Sequence, residues 1–136
     1  MSKRGFTHTP EVQKLLAPYV PATMYGQYAN DGDLRSWDKL PANTLEQLLA
    51  VLPEEQAEDQ QNAAPTFAEM VELGKCYPEM LFHGYWVTEA RCDERITVEG
   101  FYYPGTLVPV DLVQLSPDEC GEIKLNGKSY VRFWWD

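Results

Sequence analysis

Several chemistries are scarce or missing in this chain. Its 136 residues hold only three cysteines, Cys76, Cys92 and Cys120, far apart and without a C-x-x-C pair. A disulfide framework and a thiolate zinc site are therefore not expected, and a reducing, cytoplasmic setting fits best. There are two histidines, His8 and His83, which leaves little for a histidine-based metal site or a relay. The G-x-S-x-G, P-loop and G-x-G-x-x-G patterns are absent, so no nucleophile elbow and no phosphate or dinucleotide cradle is expected, and no cofactor. No apolar run approaches the roughly 20 residues of a membrane span. The opening MSKRGFTHTPEVQ has two basic residues but no apolar core, so no secretory signal is expected.

Positive charge is scarce too. Eleven Lys and Arg face 21 Asp and Glu, for a net charge of −10. A phosphate backbone needs a basic patch, so direct binding to nucleic acid is not expected. Between Lys39 and Lys75 lie Glu46, Glu54, Glu55, Glu58, Asp59, Glu69 and Glu72, with no basic residue among them. Without those acids the balance is close to neutral. One reading of so local a charge is an acidic decoy that mimics nucleic acid, provided the charges are held in order.

The length suits one domain, 1–136, able to bury a core without staples. Residues 1–8 read as a frayed tail. Thr9-Pro10-Glu11 is a helix start, followed by the apolar stripe Val12, Leu15, Leu16, Tyr19 and stopped by Pro18 and Pro21. Residues 22–42 look irregular, with Tyr25, Tyr28 and Trp37 plugging them onto the core and Asp31-Gly32 forming a turn. Asn43 and Glu46 suggest a cap before the stripe Leu45, Leu48, Leu49, Leu52. Residues 53–65, PEEQAEDQQNAAP, have the composition of a mobile acidic loop. Thr66 and Glu69 form a capping box that opens a helix ended by Gly74 or Pro78.

The character then changes, for eleven of the 17 aromatics lie between Tyr77 and Trp135. The segment 79–103 reads as a hairpin. A three-residue loop, Asp93 to Arg95, pairs Trp86 with Tyr102 and Ala90 with Val98, which gives one coherent apolar face. Residues 106–115 read as a third strand, placed at an edge because it contains Pro109. Asn126-Gly127 is a type I′ hairpin signal that sets Ile123 opposite Tyr130 and Leu125 opposite Lys128, with Val131, Phe133 and Trp135 sharing a face. Helices followed by strands predict an α+β fold: short N-terminal helices (9–76) on a C-terminal antiparallel sheet of about five strands (79–136), with a small curled barrel as the alternative.

The expected register places Glu89 directly opposite Glu99, and like charges so placed destabilise a sheet unless used. Glu89 and Glu99 are therefore the candidate acid–base pair of a small carboxylate-dependent enzyme. His83, Tyr85, Phe101 and Tyr103 fall together on the outer face and are the candidate ligand-binding residues, an aromatic-lined groove for a peptide or small ligand. With no catalytic constellation in the chain, the favoured reading is a non-enzymatic interaction module acting through that face on a protein partner. A terminal strand with a free edge also allows a homodimer.

Overall fold

The computed structural model describes residues 5–20, 30–31 and 34–136. The architecture is α+β, with the helices mostly N-terminal and an open antiparallel sheet. The closed-barrel alternative is overturned: the strand order is β1-β2-β3-β4-β6-β5, so β1 (Asn30–Asp31) and β5 (Glu119–Leu125) are edges that do not meet. No helix among the described residues is long and apolar enough to cross a membrane. Tyr25, Tyr28 and Gly32 lie outside the described residues.

Helix α1 (Pro10–Leu16) starts as its sequence dictates. The Thr9 hydroxyl accepts from the Val12 N–H, and Pro10 occupies the first turn, where no donor is needed. The segment before it is no frayed tail from residue 5 onward. The Glu94 carboxylate accepts from the N–H groups of Gly5 and Thr7 at 2.8 and 3.1 Å and from the Thr7 hydroxyl at 2.7 Å. Residues 34–41, expected to be irregular, form strand β2 (Leu34–Pro41). Its alternation is broken by a bulge between Trp37 and Leu40, where Lys39 adopts a φ of 57°, so no period of two is legible. Helix α2 (Ala42–Ala50) then begins one residue before Asn43, with Pro41 at the cap and no side-chain cap bond. The box at Thr66 and Glu69 is borne out and opens α3 (Phe67–Cys76).

β2 pairs directly with β3 (Leu81–Val87), although α2 and α3 lie between them in the chain. Both helices therefore return over one face. That face carries Leu40, Phe82, Trp86, Ile96, Val98, Phe101, Phe133 and Trp135, buried in one cluster with Leu45, Leu48, Phe67 and Met70 of the helices. Burying each such side chain contributes about 1.5–3 kcal/mol. At Gly74 a Cβ would lie 2.9 Å from that of Ala42, so glycine is what lets α3 approach α2 this closely.

The hairpin register differs from expectation. β4 (Arg95–Pro104) pairs Trp86 with Ile96 and Tyr85 with Thr97, and residues 88–94 are the connection. Sheet pairing stops at Val87, and the Arg95 guanidinium bonds Asp93 at 2.8 Å within that turn. A bulge follows: Gly84 pairs with Val98 but His83 with Gly100, which leaves Glu99 as the extra residue. The expected strand at 106–115 is a short helix, α4 (Val110–Val113), with Pro109 at its N-cap. The Asn126-Gly127 hairpin is borne out, joining β5 to β6 (Lys128–Trp134) with Ile123 opposite Tyr130 and Leu125 opposite Lys128.

Residues 53–65 are no mobile loop either. Glu54–Glu58 form a 3-10 turn, and Gln56 is buried. Gln56 Nε2 donates to the Ile96 carbonyl at 3.1 Å, and Gln56 Oε1 accepts from the Ile96 N–H at 2.7 Å. β6 ends opposite Gly100, so one amide side chain takes the place of a neighbouring strand farther down β4. Gln56→Ala strands a buried donor and acceptor and should lower stability by about 2–4 kcal/mol. An unchanged urea midpoint would show that the two bonds contribute nothing.

Candidate functional site

The bulge at Glu99 decides which residues meet. Cα partners share a sheet face. Phe101 pairs with Phe82 and Phe133, and Tyr103 with Val131, on the helix-covered face. Phe101 is fully buried between Phe133, stacked at 4.8 Å, and Phe82 at 6.0 Å. Tyr103 packs edge-to-face on Tyr77 at 5.8 Å. The expected grouping of His83, Tyr85, Phe101 and Tyr103 is thus divided: His83 and Tyr85 lie on the second face, Phe101 and Tyr103 on the first. One inserted residue reverses the alternation of everything after it. Glu89 and Glu99 are not brought together either. Glu89 lies in the connection beyond β3, with Oε1 3.6 Å from His8 Nδ1, whereas Glu99 sits beside His83 within the sheet.

The second face assembles a polar cluster instead. His83 is 3% exposed. Arg132 Nε donates to His83 Nε2, and His83 Nδ1 faces Glu99 Oε1, both at 3.4 Å. A guanidinium donor requires Nε2 to accept, which places the ring proton on Nδ1, toward the carboxylate. The other Glu99 oxygen accepts from Trp134 Nε1 at 3.4 Å. Tyr102 lies with its ring 5.1 Å from that of His83 and donates its hydroxyl to Asp38 at 2.8 Å. Arg132 also lies 5.5 Å over the Trp134 ring. Gly100 is required here, because a Cβ would run into the Phe133 carbonyl and come within 2.7 Å of the imidazole. Tyr85 belongs to a neighbouring group: it donates to Gln61 at 2.7 Å and accepts from Arg95 at 3.2 Å.

The electrostatics follow from these partners. Burial pushes the Glu99 carboxyl up, but the bond from His83, the Trp134 donor and the Arg132 charge outweigh it, so the carboxyl is held below its ordinary value. Burial, then Asp38, pushes the Tyr102 phenol well up, so it stays a donor. Asp59 is raised by burial, with Thr97 and Arg95 only partly offsetting it.

Beside the cluster lies a groove of about 480 Å³, lined by Arg132 and Trp134 of β6, Glu119, Gly121 and Ile123 of β5, and Asp118. Arg132 and Trp134 are shared: one side holds His83 and Glu99, the other forms the groove. Sequence reasoning missed them, with Tyr102 and Asp38. The available signal was Tyr130, Arg132 and Trp134 alternating with the apolar Val131, Phe133 and Trp135. A larger groove of about 540 Å³ between α3 and Leu115 has no aromatic in its lining. Among the described residues no group of three or more His, Cys, Asp or Glu is placed to hold a metal ion. Comparison with known protein families, curated proteins and solved structures finds no match to the chain.

The two shifted carboxyls give opposite signs in one experiment. Glu99 has a lowered folded value, so its contribution is present above its unfolded value and is lost as pH falls through the folded one. Glu99→Gln should therefore cost about 1–3 kcal/mol near pH 7 and nothing in acid. Asp59 has a raised folded value, so its penalty is present at neutral pH and disappears on acidification. Asp59→Asn should melt above the wild type at neutral pH and level with it in acid. Differences that do not shrink on acidification in thermal melts would contradict both assignments.

Proposed function

We propose that the chain is a non-enzymatic interaction module that binds an extended, basic segment of a partner protein across the Trp134–Arg132 end of the second sheet face. The observation that carries the reading is the shared use of Arg132 and Trp134. Their inner sides are fixed by His83 and Glu99, and their outer sides line the groove. A rigid aromatic held at a groove by a part-buried network is what a recognition surface needs. Asp118, Glu119 and Glu122 around the same groove favour a basic segment.

The partners inside the cluster support binding over catalysis. Both imidazole nitrogens of His83 and both oxygens of Glu99 already have partners within the protein, so these groups are engaged in holding Arg132 and Trp134. The carboxylate-enzyme alternative loses its basis with the register that set Glu89 opposite Glu99. The decoy alternative loses its even charge. Asp59 is part-buried, Glu69 is engaged in the capping box, and Lys75 lies 3.5 Å from Glu46 and 3.0 Å from Glu72. The proposal also includes a reducing, cytoplasmic setting, which three exposed, unbridged thiols suit, and a second copy of the chain as a further partner.

Titration of labelled protein with an alternating lysine–valine peptide, read by amide and indole NMR shifts, tests the proposal. Saturable shifts are expected at the Trp134 indole and at the Gly121 and Ile123 amides. The Gly121 and Ile123 shifts should be lost in Trp134→Ala, and all shifts should be absent with a glutamate–valine peptide. No shifts, or shifts confined to the acidic stretch 46–72, would sink the reading.

A further inference from the structure

We propose that the edge strand β5 is a self-pairing surface, and that two copies of this chain join their sheets there in one antiparallel register centred on Ile123. The surface adjoins the peptide-binding groove along Gly121 and Ile123, and the strand pairing proposed for it goes beyond that reading.

Among the described residues β5 is the long free edge of the sheet, since the opposite edge is the two-residue β1. Its seven residues pair with β6 in unbroken register, with no bulge and no proline. Natural edges are blunted by such devices because a flat, unpaired row of backbone groups recruits another strand. Glu119, Cys120, Gly121 and Glu122 are all exposed.

The hairpin fixes which backbone groups are free. Asn126 and Gly127 have φ of 51° and 78°, a two-residue loop of the I′ kind. Leu125 and Lys128 close it as a mutually bonded pair, and bonded pairs recur at every second residue. Leu125, Ile123 and Gly121 therefore spend their N–H and C=O on β6. Those of Lys124, Glu122 and Cys120 point away from the sheet.

A second β5 must meet outward residues with outward residues, which leaves three central registers. Centred on Glu122, the two copies set Glu122 against Glu122. Centred on Lys124, they set Lys124 against Lys124. Centred on Ile123, each Glu122 lies opposite Lys124 of the second copy, twice by symmetry. On the other face Ile123 then meets Ile123, and Gly121 meets Leu125 of the second copy. Opposite charges across a sheet stabilise and like charges destabilise, so the strand's own charge order selects the Ile123 register. Gly121 and Ile123 also line the Trp134 groove, so Leu125 of the second copy borders it, and the two grooves flank the symmetry axis.

Sedimentation of the full chain from micromolar to millimolar concentration tests this. The wild type should show a concentration-dependent dimer. Glu122→Lys and Lys124→Glu should each turn two attractions into two repulsions and weaken the dimer about tenfold or more. The double variant E122K/K124E should restore it. Both positions are exposed, and unchanged thermal melts show that the fold is intact. A wild type that stays monomeric throughout, single variants that dimerise as well as wild type, or a double variant that does not recover would each overturn the proposal. Failure of the two readings is distinguishable: loss and rescue by charge reversal at Glu122 and Lys124 reports only the strand pairing, and the Trp134 indole shift reports only the peptide.

Discussion

Glu99 sits where β4 carries one residue more than β3 beside it, and most of the molecule's organisation depends on that insertion. Before it, the strand alternates Ile96 and Val98 toward the helices. After it, Phe101 and Tyr103 take that side, and Tyr102 turns to the other. Without the bulge, either Ile96 and Val98 or Phe101 would leave the core, at about 1.5–3 kcal/mol for each side chain exposed. The extra residue is a glutamate bonded across the face to His83 and Trp134. Glycine follows it, because the backbone of β6 and the imidazole close over that position.

The same strand explains why an acidic, low-hydrophobicity segment is ordered. β4 is longer than the stretch β6 covers, so its lower half has a buried edge with unmet donors and acceptors. Leaving them unpaired would cost about 1–3 kcal/mol each. The Gln56 amide meets both at Ile96, Gln61 meets the Tyr85 hydroxyl, and Asn62 bonds the Asp136 carbonyl. A few side-chain amides anchor the stretch where its apolar content cannot.

Three local signals held, whereas the Asn43–Glu46 cap did not form and the expected strand at 106–115 is a short helix. Thr9-Pro10, the Thr66–Glu69 box and Asn126-Gly127 act over four residues or fewer, and each forms as its residues dictate. The α+β class followed from the order of helical and strand patterns. Three of the failures share a cause. β2 was hidden by a bulge at Lys39, the face of Phe101 was reversed by a bulge at Glu99, and the ordered turn at Glu54–Glu58 is held by a residue forty positions away. A period of two carries no trace of where one residue will be inserted, because the insertion is settled by the packing of the strands on either side. Half of the candidate site therefore stood in the wrong place, although His83 and Glu99 were singled out for other reasons.

The cluster around His83 is loosely spaced, with three contacts at 3.4 Å. It is nonetheless closed, each charged or polar atom facing a complementary one. In a region of low effective dielectric, closure of that kind fixes side-chain position more than it contributes net energy. Arg132 donates to His83 and in the same pose sets its guanidinium over Trp134. Trp134, bonded to Glu99, has then lost both its rotational freedom and one ring face. What remains is a rigid aromatic edge beside a groove whose other charges are acidic. Ordering a tryptophan before a partner arrives removes that entropy cost from the association, and this is the physical sense in which a part-buried His–Glu–Arg network serves recognition at the groove that Arg132 and Trp134 line.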